Sequence, residues 1–266
     1  MPGDSEAPHR NRRRARAIAT LPGVVVFGII ALVLSGLGEP IVGLVAGAAA
    51  GALASVALWL GATSLVLRSL HAERAGAQDL PRAQNLVEGL CATMGLPLPA
   101  MWVVHDEARD ALALGRGHRT ASLVLTSGLV SALDPVALEG LLAHELTHVK
   151  RCDIAPATVA AALLLPFAPF VPGIGAAVHR IAGRGREFHT DRLAVSVTRY
   201  PPGLRGALAG IVDGPRPGPR SVLYSSAGSR ATCWLWTVAF PEWVGAEQRI
   251  GELDAAEVRI SALDQW

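Results

Sequence analysis

The sequence predicts a mostly helical α+β protein in which an N-terminal transmembrane helical hairpin precedes a domain with a small β-sheet. Three observations carry this. No charged residue occurs from Ala17 to Gly38 or from Pro40 to Leu67, with Glu39 alone between them. After Arg68 the composition turns polar, and three short strand candidates follow, "AMWVV", "ALALGRG" and "SLVLTSG". Beyond them lies a strongly capped helix, "DPVALEGLLAHELTHVKR".

Each apolar run meets the roughly 20 residues needed to cross a bilayer core. A cleaved signal peptide competes for the first run, but a signal core is only about 7–15 residues and a second span follows at once. Gly43, Gly47 and Gly51 recur every four residues, a spacing that lets helices approach closely, and the first run is the natural partner. The head carries "RNRRRAR", Arg68, Arg74 and Arg82 follow the second run, and the connecting turn has no Lys or Arg. The positive-inside rule therefore places both termini in the cytoplasm. Beside a membrane helix the basic head reads as an orientation signal in contact with anionic lipid, not as a nucleic-acid arm. The balance of the whole chain, +2, gives no reason to expect nucleic acid. Cys91, Cys152 and Cys233 are widely spaced and lack metal-type pairing, as suits a reducing compartment.

In the domain, a helix closing near Gly95 leads to the first strand. Asp134 is a good N-cap and Pro135 fits the first helical position of the next long helix. On that helix His144 and His148 lie one turn apart on one face, so both imidazoles can reach one metal ion. Glu145 projects about 100° away, beside a metal-activated water but off the metal, where a general base belongs. Leu138, Leu142, Leu146 and Val149 form the apolar side, which directs the histidines toward a cleft. Catalytic zinc needs a third protein ligand. Candidates are Asp153, His179, Glu187, His189 and Asp191. Asp153 falls on the opposite side of an extended helix from His144. Glu187 and Asp191 share a face, so Glu187 is favoured as ligand, with Asp191 free to hold a histidine's second nitrogen. His179 and His189 stay open. The tail after Pro201 shows no strong pattern.

These residues resemble the HtpX family of membrane-bound zinc metalloproteases, gluzincins related to the CAAX-prenyl endopeptidases. The resemblance rests on "MGLPLPAMWVV", "LVLTSGLVSALDPVALEGLLAHELTHVKRCD" and "GREFHTDRLAVSVTRYPPGLRGAL", together with the two leading membrane helices. It implies a zincin-type domain with one zinc ion held by His144, His148 and Glu187. Glu145 would be the base and Asp191 the support. The implied activity is endopeptidase cleavage of membrane or misfolded proteins, a quality-control role at the cytoplasmic face of the cell membrane. The implied organisation is a basic cytoplasmic N-terminus over 1–17, two transmembrane helices over 18–67 and the metalloprotease domain over 68–266. Where the family has Asn-Ala-Phe-Ala on the strand lining the substrate cleft, this chain has Asp110, Ala111, Leu112, Ala113 and Leu114. Where many members have His-Pro near the C-terminus, it has Phe240-Pro241. An extended peptide is expected to add to the Asp110–Gly115 edge. Tyr200, Arg205 and His179 are the candidates for stabilising an oxyanion.

Between the two metal helices, 154–178 is free of charge but holds Pro156, Pro166, Pro169 and Pro172. A complete span there would put Glu187 across the membrane from His144. The segment is therefore expected to be a re-entrant or interfacial hairpin. The rival reading of the chain is a membrane sensor with a zinc-binding domain of the penicillin-receptor type. That class normally carries more spans and an extracellular ligand domain. An inactive scaffold would be expected to lose Glu145 or a ligand, and none is lost.

Overall fold

The computed structural model describes residues 6–76, 79–171, 174–182, 186–215, 218, 221–224, 226–238 and 255–266. The Phe240-Pro241 position and Arg184 lie outside them. Helices α1 (Ala7–Gly36) and α2 (Pro40–Ser69) form the hairpin. Both are long and apolar enough to cross a membrane. Their contact is set by the predicted glycines. A Cβ on Gly51 would lie 2.4 Å from the Gly23 carbonyl oxygen, so only glycine lets these backbones meet. On the outer faces, large apolar side chains from Leu21 to Leu37 and from Ile41 to Leu60 are exposed. Apart from the packed glycines Gly23, Gly43, Gly47 and Gly51, burial is found toward the far ends, at Ala7, Ala15 and Ala19 of α1 and Ala62, Val66 and Leu67 of α2. The hairpin is thus bare above and docked into the domain below.

The domain contains β1 (Glu73–Arg74), α3 (Pro81–Met94), β2 (Ala100–Val104), β3 (Ala111–Leu114) and β4 (Ser122–Thr126). Then follow α4 (Ser127–Ala132), α5 (Pro135–Arg151), α6 (Ile154–Leu164), α7 (Ile174–Ala182), α8 (Arg186–Thr198), α9 (Pro201–Val212), α10 (Ala227–Thr232) and α11 (Ala256–Leu263). The sheet order is β1-β2-β4-β3, with β2 and β4 parallel and the other neighbours antiparallel. This leaves β3 on an edge. β3 and β4 are buried on both faces, whereas β1 is exposed. Ala111, Ala113, Leu123 and Leu125 turn toward the core built on α5, while Leu112, Leu114 and Val124 turn toward α6 and the lower ends of α1 and α2.

Helix α5 is the spine. Asp134 accepts from the amides of Val136 and Ala137, and Pro135 stands at the first turn. Leu138, Leu141, Leu142 and Leu146 are fully buried, each contributing about 1.5–3 kcal/mol of apolar transfer. Gly140 lets α9 cross closely, since a Cβ there would lie 2.4 Å from the Leu204 nitrogen. The helix ends where Cys152 adopts φ 54°, in the left-handed region. The charge-free segment after it folds as α6, a short 3-10 turn over Leu165–Phe167, and α7, with Phe167 and Phe170 exposed at the bend.

The tail differs from its expectation. Pro201 starts α9, and Leu204, Ala207, Leu208 and Ile211 give it a buried face. The small residues Gly203, Gly206, Ala209 and Gly210 dilute that pattern in the sequence.

Candidate metal centre

The cleft face of α5 is closed over by α8, and His144 and His148 are buried. His144 Nε2 lies 3.0 Å from Glu187 Oε2, His148 Nε2 lies 3.2 Å from the same oxygen, and the two Nε2 atoms are 3.2 Å apart. Among the described residues this is the trio whose ligand atoms converge, within 4.8 Å of one another. Glu187 stands in the first turn of α8, where the helix dipole favours a carboxylate, and Arg186 Nε is 2.8 Å from its other oxygen.

The second nitrogens define the first two. His144 Nδ1 is 2.8 Å from Asp191 Oδ1, one helical turn after Glu187 on α8. His148 Nδ1 is 2.9 Å from Asp153 Oδ1. A carboxylate at Nδ1 takes the N–H, which leaves the Nε2 lone pair aimed inward. Two imidazole lone pairs and a carboxylate oxygen therefore face one point, an arrangement that repels itself unless a cation sits there. Zinc–nitrogen bonds of about 2.0–2.1 Å give a tetrahedral edge of about 3.3 Å, close to the three separations observed. The donor set fits zinc.

The acid–base balance agrees. Burial opposes a charged His148, but Asp153 and Glu187 outweigh it and push its pKa up to about 10. Burial likewise works against the charge on Glu187. The positive charge at His148 and Arg186, with the imidazole hydrogen bonds, still holds it well below the usual carboxylate range. Protons and a metal ion compete for the same negative pocket.

Asp153 requires a correction. It is not on the far side of the helix, because the helix has already ended at Arg151 and the left-handed Cys152 turns the chain back under His148. It meets the His148 imidazole at Nδ1, a position that helical extrapolation past the cap concealed. Arg259 on α11 was also missed. It is buried and forks onto Asp191, with Nε 2.7 Å from Oδ2 and Nη2 2.8 Å from Oδ1, while Nη1 donates to the Thr237 carbonyl. Nothing local in "AAEVRISAL" marks it, since its partner lies 68 residues away.

Glu145 Oε1 is 4.0 Å from His144 Nε2, beside the trio but outside it. The Thr237 hydroxyl donates to that oxygen at 2.6 Å, and the Thr237 amide donates to the Ala111 carbonyl at 2.9 Å. The chain's own segment thus covers the start of β3's free edge. Ala111 turns its amide and carbonyl away from β4, so by strand alternation Ala113 presents its own to the same edge. Leu112 and Leu114 pair inward. Asp110 precedes the strand, buried, and burial together with the nearby Glu145 charge raises its pKa well above the usual range. A neutral Asp110 is isosteric with asparagine. Of the other candidates, His179 stacks on Trp234 with ring centroids 4.5 Å apart, Arg205 pairs with Asp264, and Tyr200 is exposed. His179 and His189 are outside the converging trio.

The model of Peptidase family M48 matches residues 77–200. The chain is 32% identical over 196 residues to a "Protease HtpX homolog" of Tropheryma whipplei, covering 62% of this chain and 66% of that protein. Proteins of the same name from Gemmatimonas aurantiaca and Salinibacter ruber are 31% and 30% identical. These matches cover 64% and 70% of this chain and 71% and 74% of those proteins. The chain therefore spans just under two thirds of the Tropheryma relative's length. No solved structure matches. Two membrane-length helices ahead of an H-E-x-x-H helix, a glutamate from a second helix beside both histidines, and these matches identify the chain as a member of the HtpX-like branch of peptidase family M48.

Proposed function

We propose that this chain is a membrane-anchored, zinc-dependent endopeptidase that hydrolyses peptide bonds of membrane or misfolded proteins at the cytoplasmic face. The observation that carries the reading is the convergence of His144, His148 and Glu187 with the Glu145 carboxylate just outside the cluster. His144, His148 and Glu187 would hold one zinc ion, which supplies Lewis acidity toward a water and the scissile carbonyl. Glu145 takes the water's proton and returns it to the leaving amine. Asp191 and Asp153 keep both imidazoles in the tautomer that offers Nε2, and Arg259 keeps Asp191 ionised. An extended substrate adds along β3 at Ala113, beyond the part of the edge that Thr237 covers at Ala111, so its backbone is fixed by main-chain hydrogen bonds.

The hairpin crosses the membrane twice, with the basic head and the domain on the cytoplasmic side. The α6–α7 insert returns to that side as a re-entrant or interfacial hairpin, since Glu187 must stay beside His144 and His148. Accessibility tags across the two flanks of the insert should report the same side. The relatives compared are named as proteases, which gives the sensor reading no support.

The deciding experiment compares zinc content and casein cleavage of detergent-purified full chain with those of Glu145→Gln. Both should hold about one zinc per chain, and the variant should lose at least about a hundredfold in cleavage. Cleavage that survives in the variant, or a wild type without metal, would overturn the reading.

A further inference from the structure

Where the hairpin enters the domain there is a second polar site, well apart in composition from the metal centre. A cavity of about 720 Å³ opens beside Arg12 and Arg16 of α1, Trp59 of α2, and Arg116, His118 and Arg119 of the turn between β3 and β4. No acidic residue lines it among the described residues. The Arg116 guanidinium lies 5.6 Å from the centre of the Trp59 ring, and its Nε is buried without a hydrogen-bond partner. His118 is anchored by its Nε2 to the Lys150 carbonyl at 3.0 Å, which ties the turn to the end of α5.

The level of this cleft matters more than its charge. The exposed large apolar side chains begin at Leu21 on α1 and, apart from Leu65, end at Leu60 on α2, and buried contacts with the domain begin at Ala19 and Ala62. Arg16 and Trp59 therefore sit at the lower edge of the apolar band, where tryptophan collects at membrane interfaces. Val56, one turn above Trp59 on the same face, is exposed and leads from the cleft up the apolar helix.

We propose that this cleft is a binding site for the headgroup of an anionic phospholipid. The phosphodiester would be held by the arginines, the glycerol would lie against Trp59, and an acyl chain would run along α2 past Val56. Guanidinium forks match phosphate oxygens geometrically, and basic pockets between membrane helices on the cytoplasmic side suit such headgroups. The apolar path above the cleft selects a lipid over free phosphate. The proposal rests on the membrane-anchored reading above. Failure of that reading would appear as full chain that stays in solution without detergent, whatever its lipid binding.

The test is native mass spectrometry of the full chain released from neutral detergent. It is titrated separately with dioctanoyl phosphatidylglycerol, dioctanoyl phosphatidylcholine and inorganic phosphate. The anionic lipid should bind at least about tenfold more tightly than the zwitterionic one. Removing one arginine should weaken binding about fivefold, so Arg16→Gln, Arg116→Gln and Arg119→Gln together should weaken it about a hundredfold. Arg10→Gln with Arg13→Gln, which removes exposed charge outside the cleft, should change it less than about twofold. Should the triple variant fail to fold, exposed Arg119→Gln alone still reads the fivefold step. Equal losses in the two sets would show diffuse attraction and overturn the site. So would phosphate binding as tightly as the lipid, or no preference between the two lipids.

Discussion

The metal centre and the arginine cleft are both strongly polar, yet their charges are arranged in opposite ways. At the centre each buried group has an opposite neighbour. Asp191 and Asp153 hold the imidazoles, Arg259 holds Asp191, and Arg186 holds Glu187. Between His144, His148 and Glu187 the ligand atoms converge on one point, where a further positive charge would be favoured. In the cleft, arginines share a wall with no carboxylate among the described residues, and the missing counter-charge is negative. The first is buried and fixed, so it selects by geometry. The second is half open, so it selects mainly by charge and by its place at the membrane edge.

Removing one compensating charge from the buried set should give the largest effect. Arg259→Met leaves Asp191 buried beside His144 without its bidentate partner, and breaking such a pair costs about 3–5 kcal/mol. Thermal unfolding of the metal-free protein in detergent should show a loss of this size, with part of it recovered in Arg259→Met/Asp191→Asn. A loss under about 1 kcal/mol, the range of exposed ion pairs, would mean that the centre is no more closed than the cleft.

The next effect separates the carboxylates behind the two histidines. Asp153→Asn and Asp191→Asn each remove the carboxylate behind one histidine, and such changes typically weaken metal affinity about 10–100-fold. Zinc affinity measured by chelator competition should fall in both, and further in Asp191→Asn, which also removes the carboxylate that the Arg259 fork meets. An unchanged affinity in Asp153→Asn would reduce the His148–Asp153 contact to an incidental one.

That difference between Asp191 and Asp153 also shows what the sequence makes legible. Asp191 was readable because it shares a helix with Glu187, four residues on, and helical geometry carries information within a continuous helix. The strands Ala100–Val104, Ala111–Leu114 and Ser122–Thr126, and the capped α5, were readable for the same reason: their periods and caps are local. Asp153 was hidden by one left-handed residue, after which the helical period no longer applies. Arg259 and Thr237 were hidden by distance along the chain, since a contact between residues 68 or 92 apart leaves no local pattern. The arginine cleft was half legible. The basic head pointed to anionic lipid, but that Arg116 and Arg119 join it required the β3–β4 turn to be placed against α1 and α2.

The smallest effect concerns Asp110, a buried carboxyl that belongs to neither pattern of charge. Its hydrogen bonds come from main-chain donors, Ala111 at 2.7 Å and Val238 at 3.4 Å, and burial near Glu145 raises its pKa well above the usual range. The folded state therefore keeps a proton that the unfolded chain releases. Between the unfolded and folded pKa values the native protein binds more protons, so wild-type stability falls as pH rises through that window and levels off above it. Asp110→Asn keeps the shape and a carbonyl acceptor for Ala111 while removing the titration. Its melting temperature should match wild type near pH 4 and exceed it by a few degrees near pH 8, with zinc content unchanged. A variant that loses stability equally at both pH values would mean that Asp110 is ionised in the fold. The edge of β3 would then carry a negative charge next to Glu145, and the centre's charges would not close around the metal alone.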